Sequence, residues 1–170
     1  VEDVLGFARQ HSLYLQPLDL TAFLLEIKEE YKQRLELPKS VNITVKALTE
    51  CPKVFTDADK LRQVLHNLID NALHALEGCE SAQITLLAEL AQNNLLDSSN
   101  QAVAVRVQDN GIGIEPERLS QVFTPFYSTR SQGTGIGLAL VQRLVRALGG
   151  IIRLDSHVGE GTTATVLLPV

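Results

Sequence analysis

Two asparagines and a histidine fall on one side of a predicted helix. Asn67, Asn71 and His74 are spaced i, i+4 and i+7, so their side chains share one helical face. Asparagine is a poor helix former, and its amide oxygen is a hard, neutral ligand suited to Mg²⁺, which takes few protein ligands and completes its shell with phosphates and waters. The spacing allows a magnesium–phosphate site, and a solvated polar face explains it equally well.

A short acidic motif containing two glycines follows a predicted apolar strand. In DNGIGI, residues 109–114, Asp109 precedes Gly111 and Gly113. Glycine accepts positive φ and lets backbone or ligand approach closely. An ionised carboxylate only accepts hydrogen bonds, so Asp109 could read an exocyclic amine such as that of adenine. An ordinary Asp-Asn-Gly turn is the alternative.

A second glycine-rich segment, GTGIGLAL at residues 133–140, leads directly into a predicted helix. Free N–H groups and the helix dipole make such a start an anion site. Arg130, just before it, could pair with phosphate oxygens or remain a solvated charge. A dinucleotide-binding motif would have to follow a strand, whereas PFYSTRSQ here is polar and irregular. No GxxxxGK[ST] sequence is present, which excludes a P-loop.

Two further segments are less specific. The stretch 121–132 has no sustained hydrophobic period, so we expect a loop in which Phe126 either helps to hinge a nucleotide lid or joins the local core. GEGTT, residues 159–163, predicts a tight turn before the last strand. Thr162 in that motif could approach a base or a bound water, or only edge the core.

The composition indicates one globular domain without bulk attraction to polyanions. The chain has 170 residues, of which 45% are hydrophobic and 21% charged, and a net charge of −5. These values predict a full core and no affinity for nucleic acid or a membrane surface. Long apolar runs, signal-peptide patterns, disulfide frameworks and zinc spacings are absent from the sequence. We expect a cytoplasmic domain whose parent protein could still be membrane-anchored.

The elements that must position these groups alternate between helices and pairs of strands. Periodicity and capping residues predict helices over about 1–13, 20–35, 58–77 and 135–148. Asp19 or Thr21 would cap the second of these and Asp57 the third. Alternation predicts strands over 41–47, 54–56, 82–90, 102–108, 151–155 and 162–168. This order favours a two-layer α/β sandwich whose mixed sheet is covered on one face by helices.

Five motifs stand in the order typical of one family. HNLIDNALHAL, DNGIGI, VFTPFYSTR, GTGIGLAL and GEGTT resemble the N, G1, F, G2 and G3 boxes of sensor histidine kinases. Residues 20–170 are similar to the ATP-binding catalytic domain of these kinases, whose superfamily includes gyrase, heat-shock chaperone and mismatch-repair ATPases. The resemblance implies a Bergerat-type fold with a mostly antiparallel sheet, and ATP and Mg²⁺ as cofactors. Residues 1–19 resemble the end of a dimerisation hairpin and its linker, so the phosphorylated histidine would lie outside this sequence.

The roles of site residues follow from their positions in these motifs. The resemblance implies that Asn71 binds magnesium, that Asn67, Asn71 and Arg130 act in catalysis, and that Asp109 reads adenine. The nucleotide contacts that it implies are Asn71, His74, Asp109, Gly111, Gly113, Ile114, Phe126, Arg130, Gly133, Thr134, Gly135, Ile136, Gly137, Leu138 and Thr162. His74 stands where many members have a phosphate-contacting lysine, which implies a different or weaker contact.

Two departures separate this sequence from the gyrase-like ATPases. Those enzymes use a glutamate base one helical turn before the magnesium asparagine, and that position is Asn67, whose amide cannot take a proton from water. The lid between Phe126 and Gly133 is also short, as in nitrogen-regulation-type kinases.

We therefore expect a protein-histidine kinase domain that places ATP for in-line transfer to a histidine on its parent's dimerisation hairpin. A response regulator receiver domain would be the second partner. The alternatives are an ATP-driven conformational switch and a non-catalytic nucleotide-binding module.

Overall fold

In the computed structural model, which describes residues 13–34, 41–47, 53–91, 101–127 and 135–170, helices alternate with strands. The helices are α1 (Leu20–Gln33), α2 (Ala58–Ala75), α3 (Pro116–Leu119) and α4 (Gly137–Ala147). The strands are β1 (Gln16–Leu18), β2 (Asn42–Ala47), β3 (Val54–Thr56), β4 (Gln83–Ala91), β5 (Ala102–Asp109), β6 (Ile151–His157) and β7 (Gly161–Pro169). No helix in these ranges is long and apolar enough to cross a bilayer.

Aspartate side chains mark the starts of the two longest of these helices. Asp19 accepts a hydrogen bond from the backbone N–H of Ala22, and Asp57 accepts one from the N–H of Lys60. Both are N-cap contacts, so Asp19 rather than Thr21 caps α1. Asp57 also accepts from the Tyr14 backbone N–H at 2.9 Å, which attaches the chain ahead of β1 to the start of α2.

Five strands form a mixed sheet in the order β2-β4-β5-β7-β6. In it the β2–β4 pair is parallel and the other pairs are antiparallel. The predicted mixed, mostly antiparallel sheet is confirmed. β2 and β3 follow one another along the chain but do not pair, because β3 pairs with β1 in a separate two-stranded sheet.

The core lies between the helices and one face of the larger sheet. Alternate residues of β4 are buried against it, namely Ile84, Leu86 and Ala88. The apolar stripe of α2 consists of Leu61, Val64, Leu65, Leu68, Ile69 and Ala72. Buried residues thus recur at every second position of the strand and about every 3.6 positions of the helix. These two apolar faces pack together and give the two-layer sandwich that the sequence predicts.

Polar contacts join α1 to the outer side of α2. The Tyr31 hydroxyl donates to Asp70 at 2.7 Å, and Arg34 pairs with the same carboxylate at 3.2 Å. Burial, together with the nearby Asp70 carboxylate, raises the pKa of Tyr31. These contacts hold α2, the helix that carries both asparagines, against α1.

Two short elements were not predicted. β1 has three residues and includes Pro17, and α3 is a four-residue helix that begins at Pro116. Neither is long enough for a hydrophobic period to show, and β1 depends on a partner strand distant in sequence. The helix predicted from residue 135 begins at Gly137 instead, since Gly135 has a φ of +66°. The helix predicted over 1–13 lies outside the described residues, except Leu13, which is not helical.

Candidate nucleotide-binding site

A cavity of about 670 Å³ opens between α2, the larger sheet and the start of α4. Its floor includes Val107, Ala164 and Leu154, which are neighbours in register across β5, β7 and β6. Its walls come from α2, from the turn after β5 and from the first turn of α4. An apolar floor with polar groups along the walls is typical of a small-molecule site.

The predicted polar face of α2 is one wall of this cavity. Asn67, Asn71 and His74 all line it. The Asn67 Nδ2 donates to the carbonyl of Gln63 at 2.9 Å, so its Oδ1 is the amide atom turned away from the helix backbone. A Cβ added at Gly137 would lie 3.0 Å from that Oδ1. The glycine therefore lets an amide of α2 and the backbone of α4 meet in one place.

His74 contacts its own helix through one ring nitrogen. Its Nδ1 is hydrogen-bonded to the backbone carbonyl of Asp70. A carbonyl oxygen can only accept, so Nδ1 carries the proton. The imidazole therefore offers Nε2 to a ligand in the cavity.

Asp109 ends β5 and is 8% exposed. Its Oδ1 accepts from the backbone N–H of Gly111 at 2.9 Å and from that of Thr162 at 3.3 Å. Burial raises the pKa of Asp109, and these two hydrogen bonds oppose the rise. Because both N–H groups share Oδ1, Oδ2 is the oxygen left to accept from a donor in the cavity.

The turn after β5 needs glycine for steric reasons. A Cβ on Gly111 would lie 2.5 Å from the carbonyl oxygen of Ala75, and one on Gly113, where φ is +71°, would lie 2.1 Å from that of His157. The backbone N–H of Ile112 donates to the Ala75 carbonyl at 3.0 Å. The turn is thus packed between the end of α2 and the β6–β7 hairpin, which places Asp109 at the cavity.

The start of α4 meets the cavity through Gly135, Gly137 and Leu138. The N-cap residue of this 11-residue helix, Ile136, makes no side-chain capping hydrogen bond. N–H groups in the first turn of a helix have no intrahelical partner, and together with the dipole they attract anions. This end of the cavity therefore suits a phosphate.

Most of the catalytic and nucleotide-contacting residues expected from the sequence lie on the cavity wall. Those that line it are Asn67, Asn71, His74, Asp109, Gly113, Ile114, Gly135, Gly137, Leu138 and Thr162. Three others lie off it: Gly111 packs against α2, Ile136 is buried, and Phe126 is 78% exposed with a φ of +66°. Arg130, Gly133 and Thr134 lie outside the described residues.

Sequence reasoning missed the floor of the cavity and one cation in its lining. The floor residues depend on strand register, which no local pattern reveals. Arg118 of α3 also lines the cavity and pairs with Glu115 at 3.5 Å. Its place just after the DNGIGI motif was the available signal for this cation.

Comparison with known proteins matches the cavity-forming part of the chain to one family. Residues 56–170, more than half of the chain, match the family described as histidine kinase-, DNA gyrase B-, and HSP90-like ATPase. The chain belongs to this ATPase family. The matched range includes α2, β4, β5, α3, α4, β6 and β7, and hence the whole cavity lining given above.

Individual members of the family with similar sequence or structure are histidine kinases. The sensor histidine kinase ZraS from Salmonella typhi is 33% identical over 175 residues, which cover 100% of this chain and 34% of ZraS. The chain thus spans about a third of the length of that relative. The crystal structure of full-length ShkA in complex with AMPPNP aligns with a TM-score of 0.80 and 28% identity, over 99% of this chain and 34% of ShkA.

A third likeness shows the fold. The histidine kinase ThkA, in a crystal structure with the response regulator protein TrrA, aligns with a TM-score of 0.76 and 21% identity. The alignment covers 99% of this chain and 45% of that of ThkA. The two-layer sandwich is therefore the fold of histidine kinase ATPase domains.

Proposed function

We propose that this chain is the catalytic domain of a sensor histidine kinase. It binds Mg-ATP and presents the γ-phosphoryl group for transfer to a histidine of its parent's dimerisation hairpin. One observation carries the proposal: a single cavity is lined by a buried carboxylate, by asparagine amides of α2 and by the uncapped start of α4. The ATPase family and the histidine kinase relatives support the same conclusion.

Asp109 and the apolar floor receive the adenine ring in this proposal. Asp109 lines the cavity, and its Oδ2 is the oxygen left to accept a hydrogen bond, whereas the exocyclic amine of adenine is a donor. Val107, Ala164 and Leu154 supply apolar surface below a flat ring. A buried acceptor leaves a base without that amine poorly bound, because the carboxylate would lose its hydration without a new partner.

The phosphates lie toward α4 and the polar face of α2. Backbone N–H groups at Gly137 and Leu138 bind their oxygens. His74, whose Nδ1 is bonded to the Asp70 carbonyl, donates to them only when Nε2 also carries a proton. The described ranges contain no cluster of three His, Cys, Asp or Glu side chains that could hold a metal by themselves. The amide oxygens on this wall therefore suit Mg²⁺, which takes few protein ligands. Asn71 contributes one amide oxygen, and phosphates and waters complete the shell. Magnesium would neutralise charge on the phosphates during transfer.

Asn67 favours transfer over hydrolysis. Its Nδ2 is bound to the Gln63 carbonyl and its Oδ1 faces Gly137, and neither amide atom can take a proton from an attacking water. The domain therefore holds ATP until an imidazole nucleophile arrives.

A mixing experiment tests the proposal. The chain, magnesium and ATP labelled at its γ-phosphoryl group are incubated with and without the dimerisation hairpin of the parent protein. We expect acid-labile label on a hairpin histidine, abolished by Asp109→Asn or Asn71→Asp. Asp59→Asn, an exposed change in the first turn of α2, is the matched control and should retain transfer.

Other outcomes would contradict the proposal. Steady hydrolysis by the chain alone would indicate an ATP-driven conformational switch. Nucleotide binding without transfer to the hairpin would indicate a non-catalytic module. The response regulator receiver domain enters the proposal as the acceptor of the phosphoryl group from that histidine, and a receiver domain added to labelled hairpin should remove the label.

A further inference from the structure

Three polar side chains form one row across neighbouring strands. Ser156 of β6 is the register partner of Thr162 of β7, and Thr162 is the register partner of Asp109 of β5. Thr162 and Asp109 line the cavity, whereas Ser156 is not among the lining residues. Ser156 can therefore influence a ligand only through its neighbours.

The hydroxyl of Ser156 takes part in three hydrogen bonds. Its Oγ accepts from the backbone N–H of Ile114 at 2.8 Å, donates to the backbone carbonyl of Gly161 at 3.0 Å and lies 2.8 Å from Oγ1 of Thr162. A serine hydroxyl has one hydrogen, and a carbonyl oxygen can only accept. The Ser156 hydrogen is therefore on the bond to Gly161.

This arrangement determines which way the neighbouring hydroxyl points its hydrogen. With the hydrogen of Ser156 already used, the 2.8 Å contact between the two hydroxyls must use the hydrogen of Thr162. The Thr162 backbone N–H is also taken, because it donates to Oδ1 of Asp109 at 3.3 Å. Toward the cavity, the Thr162 side chain can therefore accept a hydrogen bond but cannot donate one.

We propose that Ser156 is a positioning residue for base recognition. Because Ser156 accepts the hydrogen bond of the Thr162 hydroxyl, that hydroxyl and the Asp109 carboxylate are both acceptors toward this end of the cavity. An exocyclic amine, which brings two N–H donors, fits that pair. A carbonyl oxygen at the same place on the base would face two acceptors and be rejected. The inference rests on the proposed function, because it takes Asp109 as the residue that receives the base.

ATP and inosine triphosphate are the probes that separate this role from a structural one. Their bases differ at the position concerned, where adenine has an amine and hypoxanthine a carbonyl. In Ser156→Ala the Thr162 hydroxyl is free to rotate and donate to that carbonyl. We expect the affinity for ATP divided by that for inosine triphosphate to fall roughly tenfold in this variant, which is the size of one hydrogen bond. Titration calorimetry on the 170-residue chain measures both affinities.

Two variants control the measurement. Ser156→Thr keeps the hydroxyl and suits a strand, so it should restore the wild-type ratio. Thr163→Ala lies one residue from Thr162 on β7, is paired with Asp155 and is not a lining residue. It alters the same hairpin without touching the row and should leave the ratio unchanged.

Equal losses of affinity for both nucleotides in Ser156→Ala would overturn the proposal, since they would mean that Ser156 only supports the turn through Ile114. Thr162→Val provides a second test if the alanine variant does not fold. It removes the acceptor that meets the amine, so the ratio should again fall, and an unchanged ratio would also overturn the proposal. A wild-type chain that binds ATP without preference over inosine triphosphate contradicts this inference and the reading of the amine by Asp109, but not the binding of ATP or phosphoryl transfer. A chain that binds neither contradicts the proposed function as well.

Discussion

In Asp109→Asn the side chain keeps its size and its Oδ1 acceptor, but Oδ2 becomes an N–H₂ donor. The backbone N–H groups of Gly111 and Thr162, at 2.9 and 3.3 Å from Oδ1, still have an acceptor. The atom left for a ligand has changed from acceptor to donor. The substitution therefore alters recognition of the ligand while leaving the local fold intact.

The expected loss of ATP affinity follows from one buried contact. A hydrogen bond to a charged group contributes about 1.5–3 kcal/mol, and here a donor would oppose the adenine amine. A net loss of about 2–3 kcal/mol corresponds to a fall in affinity of roughly 30- to 150-fold. The loss should be smaller for a nucleotide with a carbonyl at that position, because the new N–H₂ group can donate to it.

The same substitution should have the opposite effect on the nucleotide-free domain. Burial raises the pKa of Asp109 in the folded state, so the folded chain binds this proton more tightly than the unfolded chain. The stabilising contribution is complete below the unfolded pKa and is lost as the pH rises through the folded pKa. At neutral pH the buried carboxylate is destabilising, whereas asparagine does not titrate. The free energy of unfolding of Asp109→Asn relative to wild type should therefore increase as the pH rises.

Titration calorimetry with Mg-ATP and urea unfolding between about pH 4 and about pH 8 measure the two effects. Asp155→Asn changes an exposed carboxylate on β6 and should alter neither ATP affinity nor the pH dependence in this way. Retention of ATP affinity within about threefold would refute the role of Oδ2. A free energy of unfolding that falls relative to wild type as the pH rises would refute the argument from burial.

Five further substitutions, two of them comparison variants, test the parts of the fold that position the site, each by urea unfolding. Gly113→Ala should lower the free energy of unfolding by about 2–5 kcal/mol, because φ is +71° and the new Cβ would lie 2.1 Å from a backbone carbonyl oxygen. Gly159→Ala should lower it by about 1–2 kcal/mol, because φ is +81° but no atom lies within 4 Å. Asp57→Ala removes a buried cap and should cost about 2–3 kcal/mol, against about 1 kcal/mol for the exposed cap in Asp19→Ala. Tyr31→Phe loses a 2.7 Å hydrogen bond to a carboxylate and should cost about 1–2 kcal/mol with ATP affinity unchanged.

The contribution of Asp57 should also depend on pH. Burial would raise the pKa of Asp57, but hydrogen bonds from Tyr14 and Lys60 outweigh it and lower the pKa. Its contribution is therefore complete above the unfolded pKa and is lost as the pH falls through the folded pKa.

Equal losses from both glycine variants would contradict the steric argument. Equal losses from both aspartate variants would contradict the role of Asp57 as the joint between β1 and α2, and a fall in ATP affinity in Tyr31→Phe would contradict its purely structural role.

Much of the architecture could be predicted because local sequence patterns specify it. The helical period places Asn67, Asn71 and His74 on one face, and the structure shows them on one cavity wall. Caps such as Asp57 were recognisable, since the residue types that accept from a free N–H are few. The motifs on α2 and before α4 were each recognisable, and Gly137 beside the Asn67 amide shows the two helices meeting there.

What the sequence alone determined is therefore the identity and local geometry of most elements, with β1 and α3 as exceptions: the amide face of α2, the glycines of the turn after β5 and the glycine-rich segment before α4. The tertiary structure alone decided which strands pair and in what register. Register brings Asp109 into one row with Thr162, which is 53 residues away in sequence, and with Ser156 of the same hairpin. It also places β3 beside β1 rather than β2. The physical reason is that periodicity and capping act over a few residues, whereas strand pairing depends on how distant apolar faces are buried together.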